Sequence, residues 1–146
     1  MSDSDLVKLY SGRILALAAD IPHLGRLPAP SGTARKRSML CGSTITVDLV
    51  MRDGRVAEFA QDVKACALGQ ASASVLGRVV LGRSKAELES ARDALQAMLR
   101  DGAAVPTAPF DGYEVLTPAR EYKNRHASIL LALDATCAAI ADSETT

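Results

Sequence analysis

Cys41, Cys66 and His126 are the side chains of this sequence best suited to chemistry. Thiolates and neutral imidazoles bind zinc, iron and iron–sulfur clusters, and a thiolate is also the nucleophile of sulfur transfer and disulfide exchange. A third cysteine, Cys137, and a second histidine, His23, complete the set. His23 lies in the segment 22–30, where Pro22, Pro28 and Pro30 suggest an extended connector, so this ring is expected to face solvent.

The elements that must position the first two cysteines are strands. Asp53-Gly54 is a strong tight-turn signal, and the alternating apolar residues Ile45, Val47, Leu49 and Met51 lead into it. A ladder centred on that turn sets Cys41 opposite Cys66, with Cβ atoms roughly 4.5–5.5 Å apart. In that register Phe59 and Val63 fall on the face opposite Ile45 and Val47. One bulge or a longer turn would move a strand by one residue and repair the mismatch, leaving the cysteines near neighbours. Cys66 is followed by the small, helix-compatible run Ala67 to Val80, so it stands where a strand hands over to a helix. Free N–H groups and the dipole at a helix N-terminus favour a thiolate. Small residues at Gly69, Ala71 and Ala73 would let that helix lie close to a neighbour. Upstream, Arg35, Lys36 and Arg37 are expected on a solvated loop or edge strand; their charge near Cys41 would also favour its thiolate.

Helices account for the rest. Leu6, Leu9, Ile14, Leu17 and Ala18 predict an amphipathic helix ending before Pro22. Ser84-Lys85-Ala86-Glu87 is a capping-box pattern that opens a helix closed by Asp101-Gly102. Residues 103–118 carry three prolines and predict a loop with at most a short helix, pinned to the core by Phe110, Tyr113 and Leu116. A last helix, from about Asn124 to Ala141, turns His126, Ile129, Leu130, Leu133, Cys137 and Ile140 inward. His126 and Cys137 share a face but stand about 16 Å apart along the axis, too far to hold one metal ion. His126 is at the helix start, within reach of a site at the sheet end, whereas Cys137 sits among apolar residues and suits a packing role.

The 146 residues, 48% of them hydrophobic, fit one domain spanning 1–146 with a sizeable core. Seventeen basic residues balance seventeen acidic ones, and there are three tyrosines, two phenylalanines and no tryptophan. That leaves little for a phosphate-tracking groove or a base-stacking platform, so nucleic acid is not an expected partner. No apolar run approaches the ~20 residues of a membrane span, and the acidic start Met1-Ser-Asp-Ser-Asp lacks the features of a secretory leader. Three cysteines suit a reducing cytoplasm better than a secreted disulfide framework.

Taken together, these stretches resemble the iron–sulfur cluster assembly scaffolds of the IscU, SufU and NifU N-terminal type. The resemblance runs from Leu9-Tyr10, through Pro22 to Gly25, to Leu130. Cys41-Gly42 resembles the family's first Cys-Gly-Asp, and Cys66 with Ala71-Ser72-Ala73-Ser74 resembles the second cysteine and its small-residue helix. His126-Ala127-Ser128-Ile129-Leu130 resembles the third motif, His-Cys-Ser-Ile-Leu. The fold implied is α+β, a small antiparallel hairpin-based sheet covered by several helices, with the ligands at one exposed end. Members accept sulfur from a cysteine desulfurase, assemble a [2Fe–2S] cluster and pass it to recipient proteins; some bind zinc in the same site. They are scaffolds and carriers rather than enzymes. The site implied here is Cys41, Cys66 and His126, binding a cluster, iron or zinc.

The chain departs from the pattern at Ser43, where the family has aspartate, and at Ala127, where it has its third cysteine. Tyr122-Lys123-Asn124-Arg125 replaces the proline-rich chaperone-recognition stretch of IscU members. A [2Fe–2S] cluster usually takes four protein ligands, and Cys41, Cys66 and His126 supply three, so a second subunit or a partner would complete the shell. Two other readings stand beside the scaffold: a zinc-binding or metal-free interaction module on the same fold, and a persulfide acceptor or redox dithiol using Cys41 or Cys66.

Overall fold

The computed structural model describes residues 10–145, so Leu6 and Leu9 of the expected first helix lie outside the described residues. Inside them that helix is α1, Gly12–Ala19. Ser11 caps it by accepting from the Ile14 N–H, and Ile14 is its buried residue.

Three antiparallel strands follow, β1 (Gly32–Arg37), β2 (Thr44–Arg52) and β3 (Arg55–Lys64), in the order β1-β2-β3. Asp53 and Gly54 form the predicted two-residue turn with φ of 56° and 74°, the left-handed pair whose twist matches the strands it joins. Arg52 faces Arg55 and Met51 faces Val56, but Val50 faces Glu58, so a bulge leaves Ala57 unpaired. Beyond it Leu49 faces Phe59 and Ile45 faces Val63. The bulge thus brings the large apolar residues of β3 to the face of Ile45, Val47 and Leu49, all fully buried. A ladder without it would turn Phe59 toward water, and each such side chain is worth roughly 1.5–3 kcal/mol when buried. β1 is an edge strand, with Arg35, Lys36 and Arg37 exposed along it.

The connector before β1 is tied down at two places. Leu24 bridges to Gln61 on β3, and the buried Asp48 carboxylate of β2 accepts from Arg26 Nε at 2.6 Å, the Leu27 N–H at 3.1 Å and Thr33 Oγ1 at 2.7 Å. Burial pushes the Asp48 carboxyl up, but the hydrogen bonds from Arg26, Thr33 and Leu27 outweigh it and hold the group below the usual carboxylate range. His23, in this connector, is exposed.

Three longer helices follow the sheet. These are α2 (Ala67–Gly77), α3 (Lys85–Asp101) and α4 (Lys123–Ser143). Helix α4 crosses β1 and β2 and packs on both α2 and α3, while α1 packs on α2. The expected capping box opens α3: Ser84 Oγ accepts from the Glu87 N–H at 3.2 Å, and Glu87 Oε1 accepts from the Ser84 N–H at 3.1 Å. Such a cap contributes about 1 kcal/mol.

The proline-rich segment differs from its expected loop. Phe110–Glu121 winds as one 3-10 helix, with Pro106 and Pro109 before it and Pro118 inside it. Phe110, Tyr113, Leu116 and Ala119 are all buried, and their spacing of three is the period of this helix type, which stacks i and i+3 on one side. Among the described residues no helix is long and apolar enough to cross a membrane.

Candidate metal centre

The two cysteines nearest the hairpin are not a cross-strand pair. The ladder stops at Thr44 opposite Lys64, and both sulfurs lie beyond it. Cys41 sits in a tight turn closed by Ser38 N–H to Ser43 O at 2.8 Å and Gly42 N–H to Ser38 O at 2.9 Å, which leaves Met39 and Leu40 exposed. Cys66 is the N-cap of α2, as the strand-to-helix handover predicts.

Serine hydroxyls join the two. Cys41 Sγ lies 3.3 Å from Ser38 Oγ and 3.2 Å from Ser43 Oγ. Ser43 Oγ lies 3.0 Å from Ser128 Oγ, which in turn lies 3.5 Å from Cys66 Sγ. A continuous line of hydroxyls therefore runs from one sulfur to the other, with Ser43 and Ser128 both buried.

Helix crossing explains how Ser128, on α4, arrives there. Gly69 of α2 passes so close that a Cβ on it would stand 2.7 Å from Ser128 Oγ. One turn on, Ser72 Oγ donates to the Ile129 carbonyl at 2.6 Å, locking α2 against α4. The small residues of α2 are thus what lets α4 deliver a hydroxyl between the thiols.

These contacts set the chemistry of Cys41. Burial pushes its thiol up, but hydrogen bonds with Ser38 and Ser43, and a further one with Ser128, bring it down to about 6. Cys41 is therefore mostly thiolate at neutral pH while still partly open to solvent. Cys137 is the reverse: it is buried on α4, and burial raises its thiol to about 11.

His126 begins α4 and is 8% exposed. Its Nε2 lies 3.0 Å from the Ala119 carbonyl and 3.1 Å from that of Arg120. Carbonyls only accept, so Nε2 carries a proton and donates it to them. The ring lines a cleft of about 510 Å³ together with Ser38 and the exposed Ala127. Among the described residues no three cysteine, histidine, aspartate or glutamate side chains converge to hold a metal ion, so Cys41, Cys66 and His126 are not assembled around one ion in this conformation.

This architecture is found in solved structures. The crystal structure of a nitrogen-fixing NifU-like protein (N-terminal) from Brucella abortus superposes with a TM-score of 0.94 and 45% identity, over 97% of this chain and 99% of that one. The chain belongs to the NifU-like N-terminal family, the IscU/SufU/NifU type of scaffold. Two more distant structures share the fold alone. One, assigned as an iron–sulfur cluster assembly scaffold for the SUF system of Fervidobacterium islandicum AW-1, has a TM-score of 0.78 and 17% identity, over 88% of this chain and 94% of that one. The other, a hypothetical protein, has a TM-score of 0.81 and 22% identity, over 92% and 98% of the two chains. No protein-family model and no curated protein matches the chain.

Within the family frame the two departures acquire positions. Ser43 is buried and carries the hydroxyl line, and Ala127 stands exposed at the cleft beside buried Ser128. Sequence reasoning missed Ser38, and it missed Ser43 and Ser128 as partners of the thiols. Their only sequence signal is a serine two or three residues from Cys41 and another two residues after His126.

Proposed function

We propose that this chain is an iron–sulfur cluster assembly scaffold and carrier that works in the reducing cytoplasm. The observation that carries the reading is the pair Cys41 and Cys66, held at one rim of a fold 45% identical to a NifU-like N-terminal domain. The cargo is a [2Fe–2S] cluster or its iron; sulfur comes from a cysteine desulfurase, and the finished cluster leaves for a recipient protein. Cys41 and Cys66 supply two thiolates. His126 supplies a third ligand through Nδ1, because a ring whose other nitrogen donates to a backbone carbonyl is oriented as metal-ligating histidines usually are. Reaching the thiols requires His126 to shift from its present place, and that lability suits a protein that gives its cargo away. Zinc, which accepts thiolate and imidazole with an open fourth position, competes for the same residues.

Anaerobic addition of iron and sulfide to the metal-free protein tests this. A visible absorption spectrum of a cluster with matching iron and sulfide content is expected. Stoichiometric zinc with no cluster spectrum under any condition would replace the reading with a zinc-binding module.

A second reading is favoured by the low thiol of Cys41. Its thiolate would attack the outer sulfur of a donor cysteine persulfide, the sulfur–sulfur bond would break, and the donor would leave as a thiolate while Cys41 becomes the persulfide. Mass spectrometry after incubation with a loaded desulfurase would show a 32 Da adduct (about one sulfur atom) absent from Cys41→Ala.

A further inference from the structure

The cleft that His126 and Ala127 line is walled by cations. Arg37 ends β1, Arg100 lies in the last turn of α3 and Lys123 begins α4, all three exposed. Among the described residues none of them pairs with a carboxylate, although eight ion pairs form elsewhere. Asp134 is the one acidic residue on the wall, and Gln96 adds an amide. Three cations against one carboxylate in a concave site attract an anion.

Neither cysteine lines the cleft, but one of its residues touches the sulfur site. Ser38, on its wall, has its hydroxyl 3.3 Å from Cys41 Sγ. Ala127, which stands where the family pattern has a cysteine, faces the same space without a sulfur. Its volume of about 510 Å³ accommodates a molecule of tripeptide size.

We propose that this cleft binds a small thiol bearing carboxylates, of the glutathione class, whose sulfur supplies the thiolate that the chain lacks at Ala127. The inference rests on the scaffold reading for its cargo. Arg37, Arg100 and Lys123 hold the carboxylates, bidentate where arginine is used, and orient the thiol toward the sulfur rim. The step is a ligand substitution: iron loses one labile ligand and gains a sulfur–iron bond, the thiol proton passes to solvent, and no oxidation state changes. With Cys41, Cys66 and His126 the external thiolate makes four, the usual number for a [2Fe–2S] cluster.

Two measurements test it. Calorimetric titration of the metal-free protein with S-methylglutathione, which keeps the carboxylates and has no free thiol, should show binding that weakens about tenfold or more in the Arg100→Gln/Lys123→Gln double variant. Cluster lifetime after anaerobic reconstitution should then be several-fold longer with glutathione than with 2-mercaptoethanol in the wild type. The two thiols should give equal lifetimes in the double variant and in Ala127→Cys, where the chain provides its own sulfur. Absence of S-methylglutathione binding overturns this inference and leaves the scaffold reading intact. Equal lifetimes with the two thiols in the wild type overturn it as well. Failure to assemble a cluster with any thiol, on protein that binds S-methylglutathione, overturns the scaffold reading and the thiolate role with it.

Discussion

Cys41 and Cys137 are the same residue placed in opposite surroundings. Around Cys41 stand Ser38, Ser43 and Ser128, whose hydrogen bonds outweigh its desolvation and bring the thiol to about 6. Around Cys137 burial dominates; Arg92 opposes it, but Glu89, Asp134 and Asp93 add to it, and the thiol rises to about 11. Thiolate character in this fold therefore comes from local hydroxyls gathered at the sheet end. The cations of β1 lie exposed on an edge strand, as the favoured reading of their sequence has it, and none of them is among the groups that lower Cys41.

The largest effect that would break this contrast is on cargo. Cys41→Ala or Cys66→Ala should abolish iron retention after reconstitution while the circular dichroism spectrum stays native; Cys137→Ala should retain the wild-type iron content. Metal loss in Cys137→Ala would place the functional sulfur on α4 instead.

Alkylation sharpens the same contrast. The rate of iodoacetamide modification, followed by peptide mass spectrometry, should rise through about pH 6 for Cys41, where its thiol titrates. Cys137 should stay unmodified across the neutral range, since it titrates near 11. Ser38→Ala removes the leading hydrogen bond, so its midpoint should move upward. The linkage has a definite sign. A thiol lowered from 9.0 to about 6 adds stability that is complete above the ordinary value and lost as pH falls through the folded one.

Gly69→Ala tests how the hydroxyl line is assembled. The added methyl would meet Ser128 Oγ, so the two helices must part or the serine must turn away. A loss of roughly 1–3 kcal/mol in denaturant unfolding is expected, with a higher Cys41 alkylation midpoint. An unchanged midpoint would show that Ser128 does not influence the thiol. The smallest effect belongs to Cys137→Ala, a packing loss of about 1 kcal/mol in the same assay.

Much of the frame could be read from the chain. Asp53-Gly54 specified its turn, and the misplaced Phe59 and Val63 announced the bulge, because one buried face cannot tolerate a slip of one residue. Ser84 and Glu87 specified their cap. The 3-10 helix was hidden by its prolines, although Phe110, Tyr113, Leu116 and Ala119 carried its period of three. The cysteines were found by type, yet their relation was misjudged: the ladder ends before it reaches them, and hydroxyls fill the place of a cross-strand pair. Ser43 and Ser128 are 85 residues apart, and nothing local distinguishes them from surface serines until Gly69 brings the helices together.

The Asp48 anchorage makes the connector's resistance to proteases depend on acidity. Above the ordinary carboxylate range Arg26, Leu27 and Thr33 all hold onto a charged group, and the exposed segment around His23 to Ala29 should resist cleavage despite its place on the surface. As pH falls through the lowered value of Asp48, protonation releases that grip. An acid-active protease should then open the chain there first, while the hairpin behind it is still folded.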